Sequence, residues 1–317
     1  MTNDPIHELQ TYCKQYAKPN TFQAYVSFVN TILVEALAIR CIYSQFSILG
    51  WILHTVNILR VFVQFHDMAH YSFFQTIEQN QFFGELLGFY MMYPFQAWRD
   101  GHNHHHHHFG ILGGEDVSQT ILFTKQDYER FPLLHRIGIR IIREPIVFFP
   151  FTIPFLWMFG TLIQYIMQYP WYHKIVLTKI VSMAFYCMFA PKEMWMSYYI
   201  AISIGGVLFH LQHSVNMPYR KREGKWKREE ASLVGSTYLQ IPPVLSFFTN
   251  GIEYHHIHHL NPMVPSYAIG KCHHSYEGDW SELGVCFVDG ELAFKSLENV
   301  MYDEENELCV PFSYNII

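Results

Sequence analysis

The chain has 317 residues, of which 50% are hydrophobic and 17% aromatic, whereas charged residues make up only 15%. Soluble domains usually contain about 25% charged residues, so the composition favours a membrane protein. A mean hydropathy of +0.04 nevertheless requires part of the chain to lie in water. The net charge of −6 argues against a nucleic-acid partner, and six scattered cysteines without a CxxC pair indicate reduced, structural thiols.

The chain begins with a polar segment, residues 1–23, which lacks the basic start and apolar run of a signal peptide and is expected to be cytosolic. Two apolar stretches of about membrane-spanning length follow, Ala24–Ile42 and Phe46–Phe65. Five polar residues interrupt them: Glu35, Arg40, His54, Asn57 and Arg60. Because such groups at membrane depth usually face a protein interior, we expect a membrane hairpin with its uncharged tip outside. A buried hairpin of a soluble protein is the alternative.

Later apolar stretches differ in how well they suit a membrane. The stretch Phe82–Trp98 contains two glycines and a proline, which predicts an interfacial or re-entrant segment. Three further stretches follow: Pro145–Leu162, Ile175–Ala190 and Met194–Leu211. If all histidine-rich segments lie on the same side of the membrane, an even number of these three stretches can span it. The three prolines of the first stretch favour it as the non-spanning one, which gives about four spanning helices in total.

Charge is concentrated outside these stretches. Basic residues recur between 125 and 143 and again between 220 and 228, and the positive-inside rule places both runs on the cytosolic side. Either run fits a solvated face near lipid headgroups, or a docking surface for an acidic electron carrier. The last forty residues hold nine acidic residues and one lysine, so residues 276–317 are expected to form an acidic cytosolic tail without chemistry.

Histidines are concentrated in three short segments. Six of the twenty lie between Trp98 and Gly110, which reads WRDGHNHHHHHFG. The other two segments are HDMAH, which starts at His66, and HHIHH, which starts at His255. Histidines three or four residues apart share one face of a helix, so each segment can direct two or three imidazoles to one point. Eight or nine imidazoles suffice for two metal ions, since a tetrahedral zinc takes about four ligands. Nitrogen ligands favour iron, zinc, copper or nickel over calcium or magnesium.

This HxxxH, HxxHH, HxxHH series resembles the histidine boxes of the integral-membrane fatty acid desaturases, over roughly residues 59–273. The segments RVFVQFHDMAHYSFF, from Arg60, and GSTYLQIPPVLSFFTNGIEYHHIHHLNPMVPSY, from Gly235, look most like the acyl-lipid omega-6 (Δ12) branch. The resemblance implies an all-α integral membrane protein of about four transmembrane helices plus interfacial helices. Its desaturase domain would cover residues 24–275, and a cytosolic helical cap would hold a histidine-ligated di-iron centre.

The family's pattern implies nine metal ligands: His66, His70, His102, His105, His106, His213, His255, His258 and His259. Five neighbours could hold a ligand imidazole in place by hydrogen bonding: Asp67, His104, His210, His256 and Asn261. Asp67 and Asn261 could equally be helix caps. Within the five-histidine run the pattern leaves His104, His107 and His108 as extras, which point elsewhere if the run is helical.

The resemblance further implies an O2-dependent fatty acyl desaturase with two iron ions, supplied with electrons by ferredoxin or by cytochrome b5 and its reductase. The omega-6 branch places the new cis double bond at Δ12 of an oleoyl chain; Δ9 and ω3 positions stay open, as does the choice between a membrane lipid and acyl-CoA. Such a multi-pass protein would lie in the endoplasmic reticulum of a eukaryote or the cytoplasmic membrane of a bacterium.

Two alternatives share the histidine pattern. Related histidine-box membrane proteins hydroxylate alkanes, sterols or carotenoids, and the box spacings alone do not separate them from desaturases. A membrane protein that transports or binds zinc or nickel would be of another class. It would place its ligands inside spanning helices near the membrane centre, whereas here they are predicted at helix ends and in aqueous segments.

Overall fold

The computed structural model describes residues 5–113, 123–168, 173–215 and 219–312. Residues 1–4 of the predicted N-terminal segment and residues 313–317 of the predicted acidic tail lie outside this range. The first helices are α1 (Pro5–Lys14), α2 (Thr21–Ile42), α3 (Ser47–Ala69), α4 (Ile77–Tyr90), α5 (Phe95–His108), α6 (Lys125–Arg130) and α7 (Leu133–Arg143).

A helix with two π-helical turns comes next: α8 (Pro145–Val147), a π turn (Phe148–Thr152), α9 (Ile153–Phe155), a second π turn (Leu156–Gly160) and α10 (Thr161–Gln168). The remaining helices are α11 (His173–Phe189), α12 (Lys192–His213), α13 (Arg228–Val234), α14 (Pro243–Thr249), α15 (His255–Leu260), α16 (Ser266–His274) and α17 (Gly290–Ser296), with a 3-10 turn at Glu223–Lys225.

Within the described residues, four helical segments are long and apolar enough to cross a membrane: Thr21–Ile42, Ser47–Ala69, Pro145–Gln164 and Lys192–His213. The predicted helical membrane fold with four such segments is therefore confirmed. One choice within it was wrong, because the stretch after Pro145 qualifies and α11 does not. The π turns beside Pro150 and Pro154 let the helix continue past both prolines. By contrast the described part of α11 has 17 residues, about 26 Å of helix against a hydrocarbon core of about 30 Å.

Short strands, which were not predicted, tie distant parts of the aqueous region together. They are β1 (Ile111–Leu112), β2 (Phe123–Thr124), β3 (Lys221–Arg222), β4 (Thr237–Leu239), β5 (Cys286–Val288), β6 (Met301–Asp303) and β7 (Leu308–Val310). Parallel pairs join β1 to β3, β2 to β6 and β4 to β5, and β7 lies antiparallel to β6. Through these pairs the C-terminal residues pack against the segments on either side of the histidine-rich helices.

The helices α2 and α3 form a close antiparallel pair. A Cβ atom on Gly50 would lie 2.4 Å from the backbone nitrogen of Ile42 and 2.8 Å from the carbonyl oxygen of Ala38. Only glycine therefore permits this approach of the two backbones, as is common between membrane helices. The packing fixes the position of α3, whose C-terminal end carries the first histidines.

Four of the five polar residues of the predicted membrane hairpin have partners inside the protein, whereas Arg40 is exposed. Glu35 on α2 accepts hydrogen bonds from Asn57 Nδ2 and from the Tyr90 hydroxyl, both at 3.0 Å, and lies 3.1 Å from His54 Nδ1. Arg60 donates to the Thr31 hydroxyl at 2.9 Å and to the backbone of α14. Groups that would be costly in lipid are thus paired between helices, as the sequence analysis expected of them.

Candidate metal centre

Four helices bring histidines to one end of the spanning bundle. His66 lies in the last turn of α3 and His70 follows it, while His213 is the last residue of α12. The aqueous helices α5 and α15 supply the rest. The side chains of all nine histidines that the family pattern implies are buried: His66, His70, His102, His105, His106, His213, His255, His258 and His259. Segments far apart in the chain thus converge on one buried site.

One cluster contains five of them: His66, His70, His102, His106 and His258, each with a ring nitrogen within 4.8 Å of those of the others. Two contacts inside it are short. The Nε2 atoms of His102 and His106 are 3.1 Å apart, and those of His106 and His258 are 2.8 Å apart. The i,i+4 spacing in α3 and again in α5 explains why these pairs face the same point.

A second cluster contains His105, His213 and His259, again with ring nitrogens within 4.8 Å of one another. His255 adjoins it, because its Nε2 lies 3.0 Å from that of His213. The two clusters are in direct contact: the rings of His106 and His259 stack with their centroids 4.3 Å apart. Neighbouring residues are divided between the clusters, since His105 and His106 belong to different ones, as do His258 and His259.

Burial favours the neutral form of six of these imidazoles. It is the largest cause that lowers the pKa of His70, His102, His106, His255, His258 and His259 well below the ordinary 6.5, and nearby histidines add to the effect. Each ring would be repelled by the others if all were charged. The neutral ring is the form that binds a metal ion.

The nitrogen atoms fit a bound metal. Among the described residues, the Nε2 atoms of His66, His70 and His259 are buried and have no hydrogen-bond partner. Buried polar atoms are almost always satisfied, so such a group of unsatisfied lone pairs needs an explanation. Metal ions between the rings would supply it, and would account for Nε2 atoms that approach one another within about 3 Å. No carboxylate belongs to either cluster, so the donor set within the described residues is entirely imidazole.

The five predicted supporting residues lie in different surroundings. Asp67 is closest to the clusters: its Oδ1 is 3.4 Å from His66 Nδ1, and its Oδ2 accepts the Ser266 backbone N–H at 2.7 Å. His256 points away and pairs with His273, with 3.2 Å between their nitrogens. His210 Nε2 donates to the Ser296 carbonyl oxygen at 2.8 Å. Asn261 ends α15 and accepts the Met263 backbone N–H, while His104 lies on the other side of α5.

Aromatic and cationic neighbours of the clusters were not identified from the sequence. Trp98 stacks on His102 with ring centroids 5.2 Å apart, and Phe109 lies 4.4 Å from the His213 ring. Arg220 covers Phe109 and donates to the His213 carbonyl oxygen at 3.2 Å. The i,i+4 spacing of Trp98 and His102 was the available signal, because it places both on one face of α5.

Fold and site together define a helical membrane protein with two buried histidine clusters that could hold metal ions, at the ends of its candidate spanning helices. Comparison with known proteins then gives the family. The sequence model described as "Fatty acid desaturase" matches residues 44–288, and the chain belongs to this family. The resemblance noted from the histidine boxes is thereby confirmed. Membership of this family also makes the protein an oxidoreductase that acts on lipid acyl chains.

Three curated relatives show the range of similarity. The chain is 25% identical over 334 aligned positions to a fatty acid desaturase of Bacillus subtilis, covering 98% of this chain and 93% of the relative. It is 24% identical over 254 positions to an sn-1 oleoyl-lipid 12-desaturase of Picosynechococcus, with 73% and 69% covered. It is also 24% identical over 291 positions to a chloroplastic omega-6 fatty acid desaturase of Glycine max, with 82% and 64% covered.

Proposed function

We propose that this protein is an O2-dependent acyl desaturase whose nine buried histidines hold two iron ions. The observation that carries the proposal is the direct contact between two all-imidazole clusters, which lie at the ends of spanning helices rather than inside them. An acyl chain in the bilayer could reach such a centre, whereas a transport site would need its ligands near the membrane centre. The protein would be multi-pass, in the cytoplasmic membrane of a bacterium or the endoplasmic reticulum of a eukaryote.

The two ions would share the histidines unequally. His66, His70, His102, His106 and His258 would hold one ion, and His105, His213 and His259 the other. His255 would complete the second set, which its 3.0 Å approach to His213 supports. Neutral imidazoles suit iron as well as zinc, copper or nickel, so the preference for iron follows from the family's redox chemistry.

The overall reaction removes one hydrogen from each of two adjacent methylene carbons and forms a carbon–carbon double bond. These two hydrogens, with two electrons and two protons from a donor, reduce O2 to two molecules of water. Bound iron supplies the oxidising power that no side chain has. Asp67 fixes His66, and burial of every ligand excludes water. Burial also favours the neutral form of the rings of His102, His106, His255, His258 and His259.

A Δ12 position on an oleoyl chain is the proposed regiochemistry. It is supported by the names of the Picosynechococcus and Glycine max relatives and by the omega-6-like segments around two of the boxes. The Bacillus subtilis relative covers more of the chain, and its name gives no position. A membrane lipid is the preferred acyl carrier, since the cyanobacterial relative's name specifies a lipid-bound oleoyl chain.

Fatty acid profiling of a yeast host tests the activity. The chain would be expressed in a strain whose lipids contain monoenes but no dienes, and double bonds would be located by gas chromatography with mass spectrometry. A new 9,12-diene is expected, and His258→Ala is the matched inactive control. A diene elsewhere would contradict the Δ12 position alone. Hydroxylated acyl chains among the products would show that the protein is a hydroxylase. Zinc without iron in the purified protein would contradict the di-iron proposal.

Electrons would come from ferredoxin or cytochrome b5, docked on the basic surface near α5. Part of that surface is neutralised internally, since Arg222 pairs with Glu304 at 2.6 Å and Lys227 with Glu230 at 2.7 Å. Lys225 and Arg228 are exposed and would attract an acidic carrier. Lys225→Gln with Arg228→Gln should lower turnover, and lower it less at high salt. Lys192→Gln, at the opposite end of α12 from His213, should leave turnover unchanged.

A further inference from the structure

The outer face of α5 carries three histidines that belong to neither cluster. His107 is exposed, and His104 and His108 are half-buried. They arise because five consecutive histidines must point around the whole helix, whereas only His105 and His106 of this run face the clusters. The outer three are therefore not explained by the proposed function.

Two of the outer histidines are arranged as metal ligands. His104 and His108 are one turn apart, and their rings stack at a centroid distance of 4.0 Å with 22° between the planes. His108 Nδ1 donates to the His104 carbonyl oxygen at 3.0 Å. That hydrogen bond places the proton on Nδ1 and leaves the lone pair of Nε2 directed away from the helix. Metal-binding histidines commonly have such a bond from the second ring nitrogen to a backbone carbonyl.

Within the described residues, no third ligand joins these two histidines. Asp100 lies one turn before His104, but it does not complete a group of three ligand atoms within 4.8 Å of one another. Its carboxylate is exposed and accepts a hydrogen bond from Gln96 Nε2 at 2.7 Å. Two imidazoles on a solvated face, with water in the remaining positions, suit a divalent transition metal such as iron, zinc or nickel.

We propose that His104 and His108 form a solvent-accessible capture site for a divalent transition metal, which supplies ions to the buried clusters. The capture step depends only on these residues, and the delivery step rests on the proposed function. Each of the nine inner histidines is at most 9% exposed, so ions reach them rarely from bulk solution. An ion held across α5, a distance of about 10–12 Å, raises the effective concentration at the inner sites.

Nickel binding tests the capture site directly. Purified iron-loaded protein in detergent would be titrated with Ni²⁺ by isothermal calorimetry. The wild type should bind one Ni²⁺ beyond its iron, and His104→Asn with His108→Asn should lose that ion while iron content and helicity by circular dichroism are retained. His107→Asn, in the same run, and His135→Asn, exposed on α7, are the matched controls and should keep it. Equal Ni²⁺ binding by wild type and double variant would overturn the site.

Iron uptake tests delivery. Protein stripped with a chelator would be mixed anaerobically with limiting Fe²⁺, and protein-bound iron measured over time. The double variant should load roughly tenfold more slowly and reach the same final iron content. Equal loading rates would overturn delivery. A wild-type protein that takes up no iron at all would contradict the proposed di-iron function instead, and the Ni²⁺ titration would still decide whether the outer site exists.

Discussion

The two faces of α5 carry the same residue type and differ completely in surroundings. On the inner face His102, His105 and His106 are buried against histidines from α3, α12 and α15. On the outer face His104, His107 and His108 meet solvent and one another. A histidine of α5 can thus become a ligand of the buried centre only where histidines from other helices face it. A high density of histidines in the sequence is not enough to identify the ligands.

Removal of an inner ligand should have the largest effect. His105→Ala or His258→Ala takes one nitrogen from a cluster, so an ion is lost or displaced. Even groups that only support a metal ligand are worth about 10–100-fold, so product formation should fall by more than about 100-fold. Product would be measured by gas chromatography and iron per chain by mass spectrometry, with protein retained in the membrane fraction. Retained activity in either variant would contradict the ligand assignment.

Low pH should destabilise the folded, metal-free protein through the buried histidines. Burial lowers the pKa of six buried histidines of α5 and α15, which are His102, His106, His255, His256, His258 and His259, whereas the unfolded chain titrates near 6.5. Below that pH the unfolded state therefore binds more protons, and each such histidine removes about 1.4 kcal/mol of stability per pH unit until its folded pKa is reached. Stability should be level above pH 7 and fall steeply below 6.5.

Thermal unfolding of chelated protein in detergent between pH 8 and pH 5 would measure this dependence. His135→Ala, which removes an exposed histidine of α7, should leave the curve unchanged. A melting temperature that stays constant down to pH 5 would show that the inner histidines are not held neutral by the fold.

A smaller effect is expected from a residue that holds an inner histidine in place but is not itself a proposed metal ligand. Asp67→Ala removes the carboxylate that lies beside His66 Nδ1 and accepts the Ser266 backbone N–H. Iron affinity should drop by roughly tenfold, because the His66 ring loses its orientation. Asp67→Asn keeps an oxygen acceptor for Ser266 and should lose less. Competition with a chelator of known affinity would measure both, and equal affinities in all three proteins would assign Asp67 to helix capping alone.

Local spacing determined what could be predicted. The i,i+4 histidine pairs of α3 and α5 and the HHIHH segment are visible in the sequence because a helix places such residues on one face. The prediction of His213 came from the family pattern, since a pair such as His210 and His213 at the end of one helix is more often structural. The Trp98–His102 stack and the Arg220 contact depend on packing between distant segments, which periodicity does not encode.

The choice among spanning segments failed for a related reason. Three prolines suggested a broken helix after Pro145, but π turns absorb Pro150 and Pro154 without ending it. The short strands were also missed, since two or three residues are too few for an alternating pattern to be recognised. One of them, β5, runs beside β4 and brings the C-terminal segment against the region that precedes the third histidine box.

The smallest effect is expected from substitution of His107, and this variant separates the two faces of α5 most sharply. His107 lies between His106, a proposed ligand, and His108, a proposed capture residue, yet its ring faces solvent and is 6.5 Å from that of His108. His107→Ala should therefore leave product formation, iron content and Ni²⁺ binding within about twofold of the wild type, as surface substitutions usually do. Parallel measurement of His106→Ala supplies the contrast one residue away. If His107→Ala were the inactive variant, the register of ligands within the five-histidine run would be wrong, and the division of α5 into two faces would fail with it.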